Sequence, residues 1–387
     1  MLKRLFNRAN NEVSKPLGVG ETAAAQPRAD EVTKPPGVGE IVAPPRAEEV
    51  LEKPRIVPRL ILGVLGVIVI VNLALAFYWS REPDMFNVKN AALKRVGGDA
   101  NRLVPGYTTA ATLNKVANTL LDKPGGYLSN DVMPPSLFLD NIPNWEWGVL
   151  VQVRDLARIL RNDMSRSQSQ SAEDPDLAIA DPRFHFNSDS WILPSTEAEY
   201  SVALGALNRY LNRLGEQDGQ FFPRADNLRE WLQQVSKRLG DLANRLSASV
   251  PKAEAQLYEI GDIIPTAGTE SQPELQPRTK TKKRRKTTPW FQVDDIFFEA
   301  RGTTWALRHF LTAIAADFGP VLQNKNAEAS FRQVINYLKA TQQPIRSPVI
   351  LSGRGFGMWA NHSLAMASYI SRANAGIIDL VNLLAQG

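Results

Sequence analysis

The sequence predicts an all-α protein: one N-terminal transmembrane helix followed by a soluble multi-helix bundle. Three observations carry this reading. An uncharged apolar run covers Leu60–Ser80. Beyond it, apolar residues recur at steps of three and four over long stretches, which is the period of one helix face. Patterns that would read as strands are thin, the best short candidate being Val349–Leu351. The expected organisation is a disordered Pro- and Gly-rich tail over residues 1–59 and a transmembrane helix over 60–80. A first part of a helical domain then runs over 81–270, a flexible basic loop over 271–289, and the second part of the domain over 290–387.

The tail is read from its composition. Glu12–Glu21 (EVSKPLGVGE) returns 19 residues later as Glu31–Glu40 (EVTKPPGVGE), and Glu49–Pro54 begins a degenerate third copy. Such a repeat has too few apolar side chains to offset the entropy of ordering, so it reads as an extended tether.

The run that follows is long enough to span. At about 1.5 Å per residue it covers roughly 30 Å, the thickness of a hydrocarbon core. Arg59 and Arg81 bound it, and Phe77, Tyr78 and Trp79 place an aromatic belt at its C-terminal end. A buried helix of a soluble protein normally keeps a polar face, and a cleaved signal peptide starts earlier and ends in small residues. Gly63 and Gly66 stand three apart, which is not the dimer-forming spacing of four, and Asn72 can bond within its own helix or to a partner helix. Nearby basic residues tie across the span, with Arg46, Lys53, Arg55 and Arg59 before it and Arg81, Lys89, Lys94 and Arg95 after it. The basic start Met1–Arg8 tips the choice to a cytoplasmic N-terminus and a periplasmic C-terminal domain. The absence of cysteine agrees with an oxidising compartment.

Past the span, helices are expected near 85–96, 108–121, 145–163, 196–215 and 320–341. The clearest seam opens at Asp226, with Leu228, Trp231, Leu232, Val235, Leu239, Leu242 and Leu246 on one face. A second opens at Trp290 and a third runs from about Gly357 to Leu384, where small residues permit close helix approach. Ser195 before Glu197 and Glu199 reads as a helix cap. Lys123–Asp131 with Pro134 and Pro135 is turn chemistry, and Asp163–Asp176 is a long polar loop.

The formal net charge of +5 misleads about partners. Arg278, Lys280, Lys282, Lys283, Arg284, Arg285 and Lys286 all lie in one loop, and the rest of the body is slightly acidic. Nucleic acid is therefore not expected as a partner. The loop reads first as a solvated linker, with contact to anions or lipid headgroups as the alternative. The three histidines have no ligand spacing and thiolates are absent, so neither metal nor cofactor is expected. Asp295 and Glu299 sit four apart on one helix and are the candidate acid and base of a carboxylate enzyme, although acidic residues in a first helical turn also simply complement the helix dipole. Arg354, in a glycine-rich turn, joins Asn361, His362 and Arg372 as a candidate polar cluster, against which stands a plain hydrogen-bonded core histidine.

Several strings are more particular than generic helix sequence: Lys123–Asp131, Asp140–Trp145, Ser165–Ser171 with Glu173–Asp176, Arg224–Leu228, Phe298–Gly302, and Ala360–Leu364 with Ala367–Asn374. Through them the chain resembles the DUF2333 family of bacterial membrane proteins, a domain of unknown function, over most of residues 60–387. The resemblance implies a proteobacterial inner-membrane protein and supplies no activity, cofactor or catalytic residue. The function expected is a membrane-anchored binding or scaffold module of the envelope, with a protein partner or a second copy of the chain as possible associates. The alternative is a periplasmic enzyme acting on an envelope polymer.

Overall fold

A computed structural model describes residues 56–168, 170–248, 289, 292–345, 350 and 362–386. Every regular element among them is helical. The chain divides at Val71–Asn72 into two units. The first contains most of α1 (Ile56–Trp79), whose Leu60–Trp79 stretch is long and apolar enough to cross a membrane. Its large apolar side chains are exposed from Leu60 to Tyr78.

The second unit is built from α2 (Val88–Arg95), α3 (Tyr107–Asp122), α4 (Asn141–Ile159), α5 (Pro175–Phe184), α6 (Thr196–Gly215), α7 (Ala225–Ala248), α8 (Val293–Asp317), α9 (Gly319–Asn324), α10 (Glu328–Ala340) and α11 (His362–Ala385). Helix α8 is central, packing on α3, α4, α7, α10 and α11, while α7 lies along α11 and α5 along α6. Its burial explains its sequence: Trp305, Phe310 and Ile314 meet the core, and Arg301, Thr303, Thr304 and His309 are buried with them. The Asp226 seam is borne out residue by residue, since Leu228, Trp231, Leu232, Val235, Leu239, Leu242 and Leu246 are all buried.

Local chemistry sets the helix ends. Ser195 Oγ accepts from the Ala198 N–H, as the sequence predicts. Asp174 does the same for Asp176 and Leu177, with Pro175 in the first turn. This cap starts α5, a helix that the sequence reading leaves out. Another expectation is corrected: residues 320–341 are two helices rather than one. Asn326 takes φ +50°, and the Ala327 N–H donates to the Leu322 carbonyl, which closes α9 before α10 begins. Of the strand candidate, only Ile350 is described, and it is in no strand. The basic run 278–286 lies outside the described residues.

The α4–α8 crossing is close enough to touch backbone to backbone. A Cβ at Gly148 would run into the Glu299 carbonyl, and one at Gly302 into the Trp145 carbonyl. Thr303 Oγ1 bridges the same crossing by donating to the Gly148 carbonyl at 3.3 Å. Gly148→Ala and Gly302→Ala are each expected to lower stability by about 1–3 kcal/mol through overpacking. Gly205→Ala on α6, where a Cβ meets nothing, is expected to raise it by roughly 0.5–1 kcal/mol. Thermal unfolding of the full chain in detergent micelles checks both signs.

Candidate functional site

The carboxylates singled out by sequence do share α8, but each is engaged by a different helix. Asp295 accepts from Asn144 Nδ2 at 2.8 Å. Glu299 forms an ion pair with Arg245 of α7 at 2.5 Å. Burial pushes the Glu299 carboxyl up, and Arg245 and Arg238 oppose that. Arg238 in turn forks onto Asp155 of α4 at 3.0 and 3.2 Å. These groups clamp α4, α7 and α8 together. Of the candidate polar cluster, Arg354 and Asn361 lie outside the described residues, His362 opens α11, and Arg372 is exposed on it. Among the described residues no group of three or more acidic and histidine side chains could hold a metal ion.

The most unusual chemistry lies elsewhere, at Glu146. Its side chain and that of Lys123 are both fully buried and 2.6 Å apart. Glu146 also accepts from the Leu128 N–H at 2.9 Å, the Ser129 N–H at 2.8 Å and the Ser129 hydroxyl. Lys123 spends a second proton on the Gly126 carbonyl at 2.5 Å. Burial pushes the Glu146 carboxyl up, while the Lys123 ammonium, the Ser129 hydroxyl and the Leu128 N–H pull it down. The sequence explains this arrangement. Lys123 ends α3, and Gly125 and Gly126 take φ +86° and +71°, which turns the chain back so that Leu128 and Ser129 offer their N–H groups to one carboxylate. Asn130 then donates to the Ser190 carbonyl and to Glu197. So the Lys123–Asp131 string, read from sequence as turn chemistry, is a loop wound about a buried charge. The missed signal was Glu146 itself, the single charge in an apolar stretch from Trp145 to Val151.

This loop touches the end of α1. A Cβ on Gly125 would lie 2.8 Å from Trp79 Cγ, so the indole packs directly on the glycine. The chain leaving α1 is held as well. Arg301, 5% exposed, forks onto Glu82 at 2.6 Å through both Nε and Nη2. Its Nη1 donates to the Thr341 and Gln343 carbonyls, each at 3.0 Å. The Phe86 N–H donates to His309 Nε2 at 3.2 Å, and the two rings stack with centroids 4.0 Å apart. His309 Nδ1 lies 2.8 Å from the Trp305 carbonyl. Together these contacts require the neutral ring with its proton on Nδ1.

A carboxylate with no exposed surface and four donors cannot meet a substrate. What these groups can do is fix position: Glu146 holds the loop under Trp79, and Arg301 holds the segment that follows it.

A family model described as an uncharacterized protein conserved in bacteria (DUF2333) matches residues 54–387. No curated protein matches the chain, and no solved structure does.

Two outcomes test the site. Lys123→Met leaves Glu146 buried and unpaired, an expected loss of about 3–5 kcal/mol. The double variant with Glu146→Gln should lose less than the two single losses added together, and additive losses in a denaturation cycle would refute the pairing. The second outcome concerns pH. Burial, with Arg308 and Lys115 nearby, lowers the pKa of His309 from 6.5 to about 4. Between those values the unfolded chain binds the extra proton, so the stability His309 contributes is present above pH 6.5 and is lost as pH falls toward 4. Asp317, pushed up to about 6 by burial, acts in the opposite direction, so the comparison needs a variant. The melting-temperature advantage of the native chain over His309→Gln should shrink between pH 7 and pH 4.5.

Proposed function

The chain belongs to the DUF2333 family, uncharacterized proteins conserved in bacteria, and from that premise we propose a single-pass inner-membrane protein that acts by binding or scaffolding. In this reading Leu60–Trp79 spans the bilayer, the N-terminus is cytoplasmic and the helical body is periplasmic. The observation that carries it is the attachment of the chain just beyond the span. Glu82 is locked onto Arg301 and Phe86 onto His309, so the chain that leaves the helix is part of the core of the second unit. A helical body built onto the chain that leaves the span suits a module that presents a surface to a partner, another copy of the chain or a cell-wall component. The enzyme alternative, with Asp295 and Glu299 as acid and base, is weakened because Asn144 and Arg245 already engage the two groups.

The chain is expected to stay in the membrane fraction through alkaline carbonate extraction. A phosphatase fused to its C-terminus is expected to be active, and an inactive fusion contradicts the orientation. Proximity labelling from the C-terminus in the native host should enrich a reproducible set of envelope proteins. Enrichment no greater than that of an unrelated membrane protein contradicts the binding role.

A further inference from the structure

Two loops of the second unit put large apolar side chains into solvent. Met133 is 71% and Phe138 70% exposed on the loop that continues from Lys123–Asp131. Trp191, Ile192 and Leu193 are 58%, 57% and 92% exposed on the turn before α6. The turn is a built protrusion. The Ser190 hydroxyl donates to the Pro194 carbonyl at 2.8 Å, and the Thr196 N–H and hydroxyl both donate to the Ser190 carbonyl at 2.8 and 2.9 Å. Leu193 holds φ +28°, a backbone conformation costly for a non-glycine residue, and presents a bare leucine. Asn130 ties the two loops together through the Ser190 carbonyl and Glu197.

We propose that Met133, Phe138 and Trp191–Leu193 form an apolar rim that enters the headgroup region of the bilayer holding α1, as a second membrane contact. The proposal rests on the reading of Leu60–Trp79 as a span. Its occupant follows from continuity: Trp79, in the aromatic belt at the end of that span, packs on Gly125 of the loop that leads to Met133 and is bonded through Asn130 to the Trp191 turn. Tryptophan with aliphatic side chains is the composition of an interfacial anchor. Charge decides which lipid feature is recognised. No lysine or arginine occurs between Lys123 and Arg154 or between His185 and Arg209, and Asp131, Asp189 and Glu197 stand beside the loops. The contact therefore depends on apolar burial and gains nothing from anionic lipid.

The chain has no cysteine, which allows single labels at Leu193→Cys and Phe77→Cys. The full chain, labelled with an environment-sensitive fluorophore, would be reconstituted in phosphatidylcholine–phosphatidylethanolamine vesicles with iodide on both sides. The label at 193 should show blue-shifted emission, be quenched by lipids carrying a shallow nitroxide, and be shielded from iodide. Added anionic lipid or salt should leave the signal unchanged. A label at 193 reached by iodide and untouched by nitroxide lipid overturns the proposal, and so does one shielded from both, which would indicate a protein cover. If the label at 77 is bilayer-embedded in either of those cases, the span stands and only the rim fails. If the label at 77 is also in water, the reading of the span fails with it.

Discussion

The buried guanidinium of Arg301 is the constraint on which most of the second unit depends. A charge in the interior has to be met on every side, and the rigid fork of arginine dictates where the partners stand. Here they are the Glu82 carboxylate and the carbonyls of Thr341 and Gln343. The segment after α1, the middle of α8 and the chain leaving α10 are thereby drawn to one point. None can shift without leaving an uncompensated charge, which is the costly outcome for a buried ion pair.

The next residue makes the arrangement more specific. Gly302 lets the Trp145 backbone approach α8, and beyond Trp145 in sequence stands Glu146, the second buried charge. The crossing of α4 and α8 therefore carries both ionic anchors side by side. Arg301 holds the chain that leaves α1, and Glu146 holds the loop on which Trp79 rests. The apolar side chains of the core, Trp145 and Trp305 with ring centroids 5.2 Å apart among them, stabilise the unit generally. The two charges decide which segments face the end of α1.

The fold was largely legible because helices with one buried face announce themselves by period. The Asp226 seam and the Ser195 cap needed no tertiary information, and the apolar run at Leu60 needed only its length. Where the reading failed, short-range signals competed. Asp174 and Pro175 begin a helix, but the polar stretch before them and Pro182 within it hid the helical period. Asn326 breaks the 320–341 stretch by taking a left-handed conformation that asparagine tolerates, and no proline or glycine marks the break in sequence. The ionic sites were less legible because their partners are distant in sequence: Glu82 meets Arg301 across 219 residues and Glu146 meets Leu128 across 18. A lone charge in an apolar run was the available clue, and period-based reading discards it. The carboxylates Asp295 and Glu299 were correctly placed on one helix, yet their partners come from α4 and α7, which no local pattern reveals.

The whole arrangement requires that the chain beyond α1 belong to the core of the second unit. Hydrogen exchange of the full chain in a lipid bilayer reads this at the amide of Phe86, whose N–H donates to His309. Protection comparable to the amides of α8 is expected, abolished together with the Glu82 contact in Arg301→Gln. Exchange of Phe86 at the rate of an unstructured linker in the native chain would contradict it.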